Sequence, residues 1–329
     1  MTPPPPHERA RLVARRLDAA YRMLERCTVC PRRCEVARMA GRLGVCGAGP
    51  DVVVSSVSLH HGEEPPVSGL AGSGTIFFTH CNLKCVFCQN YPISHQGRGE
   101  PVSLDELAAS MLHLQRLGAH NINLVTPTHF APQILDALGR AFERGLDIPV
   151  LYNCGGYEAV EMLALFDGIV DIYMPDMKYA DPDVAKKLSS APDYPEVNRR
   201  AVAEMHRQVG DLVLDDAFGH ERGVAVRGLL VRHLVLPNDL AGTDEIMRFL
   251  AEEISPNTAV SLMSQYFPQY RADEFPEIAR RITPDEYRRA QQLMARHGLD
   301  QGWHQNRPID TDTHGIRRIL DRDTRPRHE

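Results

Sequence analysis

Cys81, Cys85 and Cys88 form a Cys-x3-Cys-x2-Cys run. Thiolates are soft donors, and three this close can converge on one soft metal centre. A cubane cluster of four irons needs four ligands, so three cysteines leave one iron open. An open coordination position marks a reacting site rather than a structural one. A second group, Cys27, Cys30, Cys34 and Cys46, is spaced Cys-x2-Cys-x3-Cys-x11-Cys, with turns at Pro31, Gly41 and Gly44. Four thiolates suit a closed zinc site and equally an auxiliary iron–sulfur cluster with no open iron. Either would staple a segment too small to hold a core alone. Cys154 stands alone and reads as a small buried hydrophobe.

The first triplet follows the β-branched and aromatic run Thr75-Ile76-Phe77-Phe78-Thr79. Such a run reads as a buried strand, which places the cysteines on the loop at its C-terminal end, where α/β folds carry their chemistry. From Thr75 to about residue 297, strands alternate with helices. The strands are read at 75–79, 121–126, 148–153, 169–175, 228–236 and 258–263. Helical patterns fall near 103–118, 131–144, 158–166, 180–190, 197–209 and 242–254, and a last helix at 284–297 opens at Pro284. Six alternating units imply parallel strands with right-handed crossovers. The pattern alone fits an open sheet or a partial barrel. An amphipathic helix is expected over 8–26, behind a disordered or extended Met1–His7, and a small strand over 52–59. Four segments result: 1–50, the N-terminal helix and four-cysteine segment; 51–74, a connecting segment; 75–305, the α/β barrel unit; and 306–329, a polar tail.

The chain has 329 residues, enough for one large α/β domain and a small appendage. No run of eighteen apolar residues occurs, so no transmembrane helix and no membrane partner are expected. The N-terminus lacks the apolar core of a signal peptide, which points to the cytoplasm. There, closely grouped cysteines read as metal ligands rather than disulfides. Net charge is −6, which argues against a general nucleic-acid binder. Residues 8–42 nevertheless hold ten arginines against four acids. That excess is either a solvated helix face or a docking surface for an acidic partner.

Reactive groups in such a fold come from strand C-termini. The second strand ends at Thr126-Pro127-Thr128-His129, and the third at Asn153-Cys154-Gly155-Gly156, where glycine lets backbone approach a ligand. Asp176 and Lys178 follow the fourth strand; two residues apart in extended chain, they point the same way. On the fifth, Arg232 and His233 face opposite sides, so one of them enters the barrel. A guanidinium there suits a carboxylate. Before the first strand, His60-His61-Gly62-Glu63-Glu64 reads as a polar loop that could border the site.

The cysteine triplet with Phe87, Cys88-Gln89-Asn90-Tyr91, the Gly155-Gly156-Tyr157 turn, Asp176-Met177-Lys178-Tyr179 and Val231-Arg232-His233-Leu234-Val235-Leu236-Pro237-Asn238 together resemble the radical S-adenosylmethionine (SAM) superfamily. Within it they are similar to the PflX-type branch, itself related to pyruvate formate-lyase activating enzymes. The resemblance covers roughly residues 27–300. It implies a partial (β/α)6 TIM-like barrel with a small N-terminal four-cysteine segment. Cys81, Cys85 and Cys88 would hold a 4Fe–4S cluster whose open iron chelates SAM, giving a 5′-deoxyadenosyl radical that abstracts hydrogen from a substrate. By the same resemblance Phe87 lies against the adenine, and Asn153 and Gly155 contact the methionine or ribose. Asp176, Lys178, Arg232 and His233 bind cofactor or substrate. Related enzymes carry a glutamate after the second strand for the SAM amino group. This chain has none, so Thr126, Thr128 and His129, or the backbone, must supply that polarity. The implied partners are an electron donor such as flavodoxin or ferredoxin and a substrate. That substrate is a protein glycine in one version, and a small molecule, peptide or RNA in another. The rival reading is a non-catalytic metal-binding interaction protein.

Overall fold

The structure, a computed structural model, describes residues 4–216 and 223–304; the polar tail read at 306–329 lies outside them. Ten strands form the framework: β1 (Val52–His60), β2 (Ser73–Phe78), β3 (Glu100–Val102), β4 (Ile122–Val125), β5 (Val150–Cys154), β6 (Ile172–Pro175), β7 (Val213–Asp215), β8 (Val224–Leu234), β9 (Ala259–Met263) and β10 (Gly302–His304). The helices are α1 (Pro6–Glu25), α2 (Pro65–Ser68), α3 (Tyr91–Ser94), α4 (Leu104–Arg116), α5 (Ala131–Glu143), α6 (Val160–Leu163), α7 (Pro182–Ser189), α8 (Tyr194–Val209), α9 (Thr243–Phe249) and α10 (Pro284–Arg296).

The sheet order is β10-β9-β8-β6-β5-β4-β2-β1-β3, with β7 on β8. From β2 to β10 each neighbouring pair along that path is parallel. Thus a seventh parallel strand, β10, joins the six expected. β1 pairs antiparallel with β2 and β3 and so belongs to the same sheet rather than to a separate connection. The path has two free ends, β10 and β3. The result is an open, mostly parallel α/β sheet of the kind a partial barrel requires.

Period-2 alternation sorts the strand residues onto two faces. Val150, Tyr152, Tyr173, Leu229 and Val231 join the main core. Leu151, Ile172, Met174 and Leu230 point the other way and meet Val67 of α2, which plugs that side. Asn153, Asp176 and Arg232 lie two residues beyond Leu151, Met174 and Leu230, so they continue the plugged face. His233, two beyond Val231, falls on the opposite face.

Helix α1 starts at Pro6, two residues before the expected position. Pro5 is extended ahead of it, and proline fits a first helical turn because its missing N–H has no partner there. The buried face of α1 meets α5 so closely that a Cβ on Gly139 would sit 2.8 Å from Val13 Cγ1. Five of the ten N-terminal arginines reach into the rest of the fold, while Arg11, Arg15, Arg22 and Arg42 stay exposed. Buried Arg9 pairs with Asp171 at 2.7 Å and reaches the Ile169 carbonyl. Arg16 donates to the Leu165 and Asp167 carbonyls. Arg32 donates to Asn82 O at 2.9 Å and to the Ser189 and Ser190 carbonyls. Arg33 pairs with Glu161, and Arg38 holds the carbonyls of His129 and Gly49.

The turn after β5 is fixed by Gly156 at φ +74, where a Cβ would lie 2.1 Å from Asp176 O and 2.2 Å from Asn198 Nδ2. A backbone oxygen cannot give way as a flexible side chain can. Gly156→Ala is therefore expected to cost more than about 1 kcal/mol, read as a lowered melting temperature in a thermal scan.

Candidate active site

The loop after β2 turns at His80, a non-glycine residue at φ 65, and is then pinned from several sides. Lys84 N donates to Ser189 O, Val86 N to Leu188 O and Arg271 N to Val86 O. Asn82 Nδ2 donates to Tyr157 O at 2.7 Å. Gly155 permits the loop's approach: a Cβ there would lie 2.9 Å from Leu83 Cδ1.

The pinning leaves each thiol with at least one hydrogen-bonding neighbour. Leu83 N–H donates to Cys81 Sγ at 3.4 Å, and Ser189 Oγ to Cys85 Sγ at 2.9 Å. Cys88 Sγ and Ser94 Oγ are 3.1 Å apart. Donors on sulfur favour thiolate and are one of the protein's means of tuning iron–sulfur clusters. Burial, then Cys85 close by, pushes the Cys81 thiol up to about 12, so deprotonation there is coupled to metal binding. Among the described residues no three His, Cys, Asp or Glu side chains are gathered tightly enough to grip a single ion. A cluster asks for less, because each cysteine meets its own iron. Three free thiols on one pinned loop, each with a hydrogen-bonding neighbour, fit a cluster bound through three of its four irons.

Beside them lies a charged network on the plugged face. Lys178 Nζ donates to Asp176 Oδ2 at 2.6 Å, and Arg232 Nε to Asp176 Oδ1 at 2.9 Å. Arg232 also donates to Asn153 Oδ1 at 2.7 Å. Asp176, Lys178 and Arg232 keep 15–19 % of their side-chain surface exposed, as the lining of a recess would. Burial pushes the Asp176 carboxyl up, but Arg232 and Lys178 more than reverse this and hold it below its ordinary value. Burial opposes the Lys178 ammonium, yet Asp176 and Cys85 raise it to about 12. Two cations thus stand permanently charged next to the cysteine loop, where an anionic group such as a carboxylate would be held.

Glu63 completes the network. Its Oε1 accepts from Asn123 Nδ2 at 3.1 Å, and its Oε2 is 3.8 Å from Arg232. Burial lifts it to about 7, against the pull of Arg232. In sequence it reads as loop polarity, and only the fold of 60–72 beneath the sheet brings it inside.

The other candidates are placed elsewhere. Thr126 is half-buried at φ 59, its N–H on Asn153 O. Thr128 is buried with its hydroxyl 2.7 Å from Glu158 Oε1. His129 is buried and donates through Nε2 to Thr79 O at 2.6 Å; burial pushes it down to about 3. His233 donates through Nδ1 to Met177 O at 2.8 Å and accepts from Thr243 through Nε2. Neither the two histidines nor Thr128 is brought into the recess: each is used up in holding backbone or a buried carboxyl. Phe87 packs edge-on against Tyr266 and Tyr179, with ring centroids 5.7 and 6.5 Å away.

Glu158, which the sequence does not single out, is buried with a carboxyl raised to about 7 by burial. Below its unfolded value the group is neutral in both states. As pH rises from there to about 7 the unfolded chain releases its proton first, so stability falls through that window. Glu158→Gln matches the neutral acid, with one carbonyl acceptor and one donor set against the Thr128 and Tyr152 hydroxyls, and cannot carry the charge. It should therefore raise the melting temperature at pH 8 and change it little at pH 4, which paired thermal scans will show.

The radical SAM superfamily model matches residues 75–221. Among curated proteins, uncharacterized protein MJ0674 of Methanocaldococcus jannaschii is 32% identical over 295 residues, covering 87% of this chain and 79% of that protein. Two solved structures are similar at 14% identity. One is a radical SAM methyltransferase from Sphaerobacter thermophilus, with TM-score 0.44 over 70% of this chain and 66% of that one. The other is methylornithine synthase, with TM-score 0.40 over 75% of this chain and 74% of that one. With its three-cysteine loop at the end of β2 inside the matched segment, the chain belongs to the radical SAM superfamily.

Proposed function

We propose that this radical SAM enzyme abstracts hydrogen from its substrate at the mouth of the recess beside Cys81, Cys85 and Cys88. When bound, the cluster and SAM supply a carbon-centred radical by one-electron reductive cleavage. The observation that carries the reading is the juxtaposition of the pinned thiol loop with the Lys178–Asp176–Arg232 network. Lys178 and Arg232 offer charge-assisted donors for the methionine carboxylate. Asp176 keeps both side chains aimed into the recess. Gly155, without a side chain, lets the loop close down on it. Phe87, fixed between two tyrosines, presents an aromatic surface next to Cys88.

Within that chemistry we favour activation of a protein partner at a glycine. The reading rests on the likeness of the 176–179 and 231–238 stretches to pyruvate formate-lyase activating enzymes. A one-electron donor such as flavodoxin or ferredoxin would serve it. The test is to incubate the reduced, reconstituted protein and SAM with candidate glycyl-radical proteins and record electron paramagnetic resonance spectra. A doublet that collapses when the glycine is α-deuterated supports it. SAM cleavage with no protein radical, but with deuterium passing from a labelled small molecule or RNA into 5′-deoxyadenosine, favours the other substrate classes.

A further inference from the structure

Cys27, Cys30, Cys34 and Cys46 have no part in the recess. All four are free thiols, three of them buried. The backbone ties them together: Glu35 N–H donates to Cys27 O, Arg33 N–H to Cys30 O, and Val45 N–H, next to Cys46, to Cys34 Sγ. Sulfurs gathered in this way and not joined as disulfides need a shared partner.

We propose that these four cysteines hold a second iron–sulfur cluster, fully ligated and set against the loop of the first. Three observations carry this. The spacing is the first. Three of the four fall within eight residues as Cys-x2-Cys-x3-Cys, the reverse of the Cys-x3-Cys-x2-Cys run at 81–88. Zinc knuckles, by contrast, usually bring ligands as two separated pairs. Cys46 adds the fourth ligand and closes the open position.

The second is the set of donors around the sulfurs. Val45 N–H donates to Cys34 Sγ and Ala48 N–H to Cys46 Sγ, each at 3.4 Å. Such N–H···S bonds tune clusters and orient ligands. Gly44 lets the backbone run close beside Cys34: a Cβ there would lie 2.8 Å from Cys34 Sγ. As with the Cys81 set, no three of the thiols are packed to single-ion spacing, which a cluster does not need.

The third is position. Gly47, next to Cys46, lies against the His80 ring, with a built Cβ 3.3 Å from Nδ1, and His80 precedes Cys81. Arg32, between Cys30 and Cys34, donates to the carbonyl of Asn82, which follows Cys81. The two ligand loops therefore touch each other directly.

The test is metal and sulfide analysis of the full-length chain, reconstituted without oxygen, and it does not read SAM cleavage. It is therefore independent of the radical chemistry. The variant carrying Cys81→Ala, Cys85→Ala and Cys88→Ala should retain about four irons and four sulfides per chain. Adding Cys30→Ala and Cys46→Ala should bring both to background. Native mass spectrometry of the wild type should show the mass of two clusters, which guards against a variant that fails to fold. One zinc per chain in the triple variant, or a wild-type mass accounting for a single cluster, overturns the inference.

Discussion

Cys88→Ala is expected to bring anaerobic conversion of SAM to 5′-deoxyadenosine down to that of a protein-free control. Two thiolates cannot hold a cluster that needs three protein ligands and an open iron. Iron at the Cys81 site should fall with it. The fold should survive, because the change deletes one half-buried sulfur whose neighbour is the Ser94 hydroxyl at 3.1 Å. Truncations of that size usually cost no more than about 1–3 kcal/mol. Ser94→Ala is the graded companion: it keeps the ligand, removes only the contact to its sulfur, and should shift the reduction potential while leaving turnover measurable. Full turnover by Cys88→Ala would overturn the assignment of the loop.

Arg232→Met should have the second largest effect, on two readouts. In the folded chain Arg232 bonds Asp176 and Asn153 and stands 3.8 Å from Glu63. Methionine fills similar volume but strands these acceptors. Breaking a buried pair from one side costs about 3–5 kcal/mol, visible in urea unfolding at pH 7. The pH dependence has a definite sign. Asp176 is held below its ordinary value, so its contribution is present above the unfolded carboxyl pKa and is lost as pH falls through the folded one. The gap between wild type and variant should therefore narrow in acid. On the second readout, removing a charged donor from a carboxylate costs about 1.5–3 kcal/mol. SAM should bind roughly ten- to a hundredfold more weakly by that measure, as calorimetry would detect. An unchanged affinity would move the carboxylate to Lys178 alone.

The alternating strands and helices are legible in sequence because each strand is a short apolar run bounded by caps and turns. The capping boxes Ser103–Glu106 and Thr283–Glu286 form where residue type puts them. The cysteine loop is equally legible, since its chemistry lies within eight consecutive residues. What the sequence leaves open is which of Arg232 and His233 enters the recess. Alternation says only that they differ. The answer comes from the residues two before each: Leu230 packs over the plug, and Val231 packs in the main core. Ser189, which serves Cys85, is 104 residues from it, and no local pattern records that meeting. β10 escapes notice as a three-residue strand with no apolar run. The arginine excess of 8–42 looks like a surface property, yet half of its members, Arg9, Arg16, Arg32, Arg33 and Arg38, are drawn onto carbonyls and carboxylates far along the chain.

Those arginine contacts also impose a timetable on synthesis. Arg9 waits for Ile169 and Asp171, Arg16 for Leu165 and Asp167, and Arg32 for Ser189 and Ser190. Each of these partners is made about 150 residues or more after its arginine. Contacts of such long sequence separation form late and slowly. On the ribosome, this segment emerges well before its partners and is thus among the last to find its seat. Its four thiols stay exposed to solvent, oxidants and stray metal throughout that interval.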